Sequence, residues 1–176
     1  MRVNFITVIR QWLGREDGGA LAELAIIVPF LAVMLAGVSE FGRYFQNYTA
    51  LSKATRNASR YLSNHNLTDA ELARAKNLVI CGKLTCGKDD RATVSGLTAA
   101  NVCLESTKES KESAKVLTVT VRIPRVAGNC DATLGTSGAT PLVYKPIFNV
   151  GALLDNPSLS LALPLAPGTT MYYMID

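Results

Sequence analysis

The chain has 176 residues, of which 48% are hydrophobic and 18% charged, well below the quarter charged that is usual for soluble domains. That deficit implies a membrane segment or a large shared interface, on a chain long enough for about one domain. The formal charge of +4 is spread along the sequence, and the longest charged stretch, Lys108-Glu109-Ser110-Lys111-Glu112, alternates in sign. There is no basic block to track a nucleic-acid backbone, so no nucleic-acid partner is expected.

Residues 1–18 read as a short leader containing Arg2, Arg10 and Arg15 and ending at Gly18. An apolar run then extends from Ala20 to Val38 with one charge, Glu23. At 1.5 Å per residue it spans roughly 28 Å, close to the thickness of a bilayer core, so residues 19–38 are predicted to cross a membrane. A carboxylate central in such a helix costs roughly 2.5–3.5 kcal/mol, and less near an end. Glu23 therefore snorkels, protonates or has a partner. A cut between Gly18 and Gly19 would supply the partner, because the new amine would lie four residues away on the same helical face. Pairing of that amine and Glu23, within one chain or between neighbours, would fix a register in low dielectric. Pro29 removes a backbone donor and crowds the Ala25 carbonyl, which predicts a bend. Charge alone does not orient the segment, since Arg43, Lys53, Arg56 and Arg60 beyond it balance the leader arginines.

Helical periodicity continues through Phe41, Tyr44, Phe45, Tyr48, Leu51, Thr55, Ala58 and Leu62. One helix from about Ala20 to about Ser63 is predicted, roughly 65 Å long, with residues 39–66 as its extension. At least half of the aromatic set Phe41, Tyr44, Phe45 and Tyr48 is expected in core contact, the rest forming an interfacial belt. Thr68 or Asp69 caps a second helix from Ala70 to about Val79. Strands are expected at Asn101–Ser106 and at Lys115–Ile123, with Leu117, Val119, Val121 and Ile123 on the core side. A Gly/Thr/Ser-rich stretch, Gly128 to Thr140, reads as a flexible loop. Pro141 to Asn149 is extended or amphipathic, Ser158–Leu163 alternates again, and Thr169–Ile175 could close the sheet. The fold class is thus α+β: a long N-terminal helical spine on a small antiparallel sheet, with residues 67–176 as the globular domain.

Cys81, Cys86, Cys103 and Cys130 all follow the apolar run. No C-x-x-C spacing occurs and His65 is remote, so structural zinc is not expected. Four cysteines allow three pairings. Cys81 with Cys86 and Cys103 with Cys130 is favoured, because the first closes a short loop around Gly82; reduced buried thiols are the alternative. No catalytic motif and no cofactor signature is present. His65 reads as an exposed loop residue and Asp89-Asp90 as a solvated turn.

The leader, the sequence Gly18-Gly19-Ala20-Leu21-Ala22-Glu23-Leu24, the long apolar helix with Pro29, and the exit Glu40-Phe41-Gly42-Arg43-Tyr44 together resemble the TadE-like family of tight-adherence pilus proteins. The resemblance covers roughly residues 14–61 closely and the remainder in layout only. It implies a minor pilin or pseudopilin of a Flp, type IVb pilus, with a pilin-like fold and no enzymatic activity. A prepilin peptidase would cut after Gly18, leaving Glu23 as the fifth mature residue; Leu24 stands where the family usually has an aromatic. Implied partners are that peptidase, other pilins and pseudopilins, the inner-membrane assembly platform and the lipid bilayer. The implied location is the bacterial inner membrane, single pass, with the C-terminal domain in the periplasm and incorporation into the extracellular pilus. Two other readings compete. One is an ordinary signal peptide cut near Gly37-Val38-Ser39, against which stand the length of the run and Glu23 within it. The other is a membrane-anchored binding domain with no filament role, contacting a ligand through the sheet and the Gly128–Thr140 loop.

Overall fold

A computed structural model describes residues 17–111, 114–128, 130, 134, 139–149, 151, 155–156 and 160–173. The leader up to Glu16 and most of the Gly128–Thr140 loop lie outside the described residues. The chain is α+β: helix α1 (Asp17–Ser63), helix α2 (Asp69–Cys81), a 3-10 turn (Ala99–Asn101), and strands β1 (Cys103–Lys111), β2 (Ala114–Arg122) and β3 (Gly168–Tyr172). It divides into two compact units, Met1–Phe41 and Gly42–Asp176. The second half of α1 belongs to the same unit as everything after it.

Within Gly42–Asp176 the core forms around one stripe of α1. Leu51, Ala54, Thr55, Ala58 and Leu62 are buried, at the three- and four-residue steps that put side chains on one helical face. Tyr44 packs at the margin of this core, edge-on to Tyr144 at 5.6 Å. Phe41, Phe45 and Tyr48 are exposed, so the expectation that at least half of the aromatic set reaches the core fails. The periodicity that joined them to Leu51 is real, but of the four it is Tyr44 that packs against the core cluster.

Helix α2 starts where expected and runs two residues further. The Thr68 hydroxyl accepts from the Glu71 amide, and Gly82 stops the helix in the left-handed region at φ 73°, where glycine carries no Cβ penalty. Gly82 N–H donates to the Leu78 carbonyl at 3.2 Å, while Thr93 takes the Ile80 carbonyl through its amide and the Val79 carbonyl through its hydroxyl. These bonds satisfy the orphan carbonyls of the last turn. Leu72, Ala75 and Val79 face the core. Tyr61 on α1 donates to Glu71 on α2, and that bond raises the Tyr61 phenol above its ordinary pKa.

The sheet is antiparallel in the order β1-β2-β3. Along β2, Val119, Val121 and the following Ile123 are buried as alternation requires, while Leu117, also expected on the core side, is half-buried and Thr118 on the other face is buried. The expected strand at Asn101–Ser106 is displaced. The Asn101 side chain accepts from the Thr98 amide at 2.8 Å, which coils residues 99–101 into a turn. The strand therefore begins at Cys103 and continues through the polar run to Lys111, paired from Cys103↔Arg122 to Lys111↔Ala114; pairing overrides the weak β propensity of that run. The alternating segment before Pro164 is not a strand in its described part, 160–163. Beside it lies one isolated bridge, Val143↔Pro164, and the ladder goes no further there because the Leu163 amide donates locally to the Leu161 carbonyl at 2.9 Å. The closing strand is Gly168–Tyr172, held to α1 by the Ser59 hydroxyl, 2.9 Å from the Thr169 carbonyl.

Two covalent ties complete the unit, Cys81–Cys86 and Cys103–Cys130, with Cα separations of 6.0 and 5.9 Å. The first closes the turn behind α2, where Lys83 pairs with Asp90 and the Gly87 amide donates to the same carboxylate. Lys83, with that amide, holds Asp90 below the usual carboxylate range.

Replacing Cys103 and Cys130 by alanine should lower the unfolding free energy by about 3.5 kcal/mol, against about 2 kcal/mol for Cys81 and Cys86, since the bonds span 27 and 5 residues. Denaturant titration of the detergent-solubilised chain measures both. Because the folded pKa of Asp90 is depressed, its stabilising effect should be complete above about pH 4 and disappear as the pH falls through the folded value. Exchange at the Gly87 amide, corrected for its intrinsic rate, should rise only in that acid range.

Candidate functional site

The part of the chain that its own fold leaves uncovered is the N-terminal half of α1. Every residue from Gly19 to Leu35 is exposed. Ile26 is 76% exposed and Leu35 and Val38 are 70% exposed. Successive helical residues are turned by 100°, so Ile26, Ile27, Val28 and Pro29, all exposed, already present apolar groups around the whole circumference. Exposing one such side chain to water rather than burying it costs about 1.5–3 kcal/mol. A helix apolar on all sides needs an apolar surrounding on all sides. The segment is long and apolar enough to cross a membrane, and none of its most apolar window is buried.

Gly18 and Gly19 lie in the first turn of α1. A Cβ built on Gly19 would meet nothing within 4 Å. Glu23 follows one turn later, exposed, and it is the one charged residue between Gly18 and Ser39. Four residues correspond to about 6 Å along the axis, so Gly19 and Glu23 share a face. Pro29 sits inside the helix without ending it, leaving the Ala25 carbonyl without its helical donor. Gly37 and Gly42 also have open space where a Cβ would stand, so nothing packed within the chain requires glycine at either position.

The end of the apolar run carries a feature that sequence reasoning missed. Glu40 is 3% exposed and is not without a partner, whereas Phe41 beside it is 67% exposed. A single acid after an apolar run reads as an interfacial charge, and no pattern in the sequence distinguishes a covered acid from a solvated one.

The other chemistry-bearing groups have structural roles. The sulfurs of Cys103 and Cys130 lie within 4.8 Å of a Glu105 oxygen, but the two sulfurs are bonded to each other. Glu105 is gripped by Arg122 through two bonds of 3.0 and 2.6 Å, a bidentate pair. Nothing in the residue pattern announces this pairing, since residues 105 and 122 meet only through the hairpin register. His65 stacks on Tyr61 with ring centroids 4.0 Å apart, and its Nδ1 lies 2.8 Å from the Tyr61 carbonyl. Asp90 serves its turn as described above.

Residues 18–60 match the family model described as TadE-like protein. This is a TadE-like segment. The match opens at the glycines of the first turn, takes in Glu23, Pro29 and the uncovered apolar stretch, and closes within the buried half of α1. No curated protein and no solved structure matches the chain. The TadE-like segment associates the chain with the tight-adherence pilus.

If this TadE-like segment crosses a bilayer, Leu31→Arg should oppose insertion by roughly 2.5–3.5 kcal/mol. Carbonate extraction of membranes should then release the variant and retain the parent protein. Equal retention of both would count against a spanning helix.

Proposed function

We propose that this chain is a minor pilin or pseudopilin of a tight-adherence (Flp, type IVb) pilus, acting in pilus assembly or at the pilus tip and not as an enzyme. The observation that carries the proposal is Glu23: one acid in an otherwise apolar helix that the fold leaves uncovered, placed one turn after Gly18-Gly19. In lipid this acid is costly unless it is paired. Cleavage by a prepilin peptidase between Gly18 and Gly19 creates the amine that pairs with it. Glycine is the weakest helix former other than proline, by about 1 kcal/mol relative to alanine. The first turn therefore opens at small cost to present the scissile bond.

Once the leader is gone, Glu23 stands near the positive end of the helix dipole, which favours a carboxylate there. Its partner is the amine of its own chain or of a neighbouring subunit. An intersubunit pair sets the axial register while apolar side chains pack between helices. Pro29 supplies a point at which the helix bends to meet its neighbours. The partners are the peptidase, other pilins and pseudopilins, the inner-membrane assembly platform and the bilayer. Both disulfides lie on the far side of the apolar segment from the leader, which supports a cytoplasmic leader and a periplasmic C-terminal unit.

Co-expression with the cognate prepilin peptidase should yield a mature chain starting at Gly19, read by intact mass. Glu23→Ala should insert into membranes as well as the parent protein but be depleted in purified pili. An uncut leader would contradict the proposal. Normal incorporation of Glu23→Ala would favour a membrane-anchored binding domain instead.

A further inference from the structure

Among the described residues, no segment pairs with the outer edge of the sheet's last strand. β3 is the outer strand of the order β1-β2-β3. Two bonds at its ends fix which main-chain groups face inward: Ile123 N–H donates to the Pro167 carbonyl at 2.9 Å and Tyr173 N–H to the Leu117 carbonyl at 2.7 Å. Pairing alternates along an antiparallel ladder, so Thr169 and Met171 turn their amides and carbonyls toward β2. Gly168, Thr170 and Tyr172 turn theirs outward, and all three residues are exposed. Among the described residues nothing hydrogen-bonds to those outward groups.

Exposed edges are ordinarily blocked by charge, proline or a bulge. The opposite edge strand, β1, carries Lys108, Glu109 and Lys111. β3 reads Gly-Thr-Thr-Met-Tyr, without charge or proline, and its register with β2 is unbroken.

We propose that β3 is a pairing edge for β3 of a second copy of this chain, antiparallel and centred on Thr170. The strand is self-complementary about that residue. Thr170 faces its own equivalent and Gly168 faces Tyr172 of the second copy, so all three outward residues fall in hydrogen-bonded pairs, about six ladder bonds. An uncharged strand places no like charges opposite each other. Gly168 is fixed as glycine by β2, since a Cβ there would lie 2.9 Å from the Arg122 Cβ. The bare backbone accepts the Tyr172 ring of the second copy, an aromatic cover for an edge glycine. A groove beside β3, lined by Arg60, Ser63 and Asn64 of the α1 end, leaves room for the inward side chains of the added strand.

A freely diffusing dimer needs roughly 1,000 Å² of buried surface, and a five-residue edge offers less. The pairing is therefore weak in dilute solution and forms where copies are held close together. For that concentration the inference rests on the membrane-anchored reading above.

Full-length Thr170→Cys in proteoliposomes, oxidised with copper phenanthroline, tests the pairing. Among the described residues no native cysteine is free, so the added thiol is the reporter. A hydrogen-bonded pair sets Cα atoms about 5.5 Å apart, within disulfide reach. Thr170→Cys should form covalent dimers at least about tenfold faster than Thr169→Cys, whose side chain faces α1. Adding Tyr172→Pro, which removes one outward amide and no bond to β2, should slow it to the Thr169→Cys rate. Equal rates at the two positions, or monomer throughout, would overturn the proposal and leave the edge to a strand of another protein, with Arg60 favouring an acidic one. The protein is co-expressed with the cognate prepilin peptidase before reconstitution, and leader cleavage is scored by mass in the same samples. An uncut leader with rapid cross-linking would sink the pilin reading alone, and a cut leader without cross-linking would sink this inference alone.

Discussion

An apolar helix uncovered on every side is the constraint from which the rest follows. From Leu21 to Leu35 the fold provides no shelter, and a helix without a polar face gains nothing by lying on a water-facing surface. Lipid or other apolar helices must surround it. The remaining chain must therefore build a core without those residues. It does so in the unit Gly42–Asp176, around the single stripe of α1 that begins in earnest at Leu51.

One helix thus serves two solvents in succession. Its first half is apolar all round, with Glu23 as the exception. Its second half is amphipathic, and its buried stripe includes small and polar residues: Ala54, Thr55, Ala58 and Ser59 are all buried. These let β3 approach closely, and the Thr55 and Ser59 hydroxyls reach Thr169. A domain of this size buries limited apolar surface. The two disulfides, the bidentate Glu105–Arg122 pair and the capped α2 stiffen it where the core is thin.

Much of this was legible in the sequence, for physical reasons. The apolar run has a length set by bilayer thickness, and the alternation of β2 placed Val119, Val121 and Ile123 in the core, missing only at its start, where Leu117 is half-buried and Thr118 buried. Thr68 or Asp69 marked the start of α2 through capping chemistry that depends on few neighbours, while its end was placed two residues short. What escaped depends on contacts distant in sequence. β1 is polar and forms because β2 pairs with it. The segment before Pro164 alternates, yet its Leu163 amide turns back to the Leu161 carbonyl instead of joining a ladder. Phe45 and Tyr48 share the period of Leu51 but find no cover. In the candidate site, Gly18, Gly19, Glu23 and Pro29 were visible because a charge, a proline and a glycine pair stand out against an apolar background. The burial of Glu40 was invisible, because an acid at the end of an apolar run has the same sequence signature whether it is covered or solvated.

The central claim is that the first half of α1 is surrounded by apolar material on all faces. Spin labels placed one at a time from Leu24 to Tyr48, in membranes containing the full chain, test it through their relative accessibility to oxygen and to a water-soluble nickel complex. The account predicts uniformly oxygen-favoured labels from Leu24 to Val38, then a helical oscillation once the amphipathic half begins. A helical oscillation already present between Leu24 and Val38, with one face open to nickel, would contradict it.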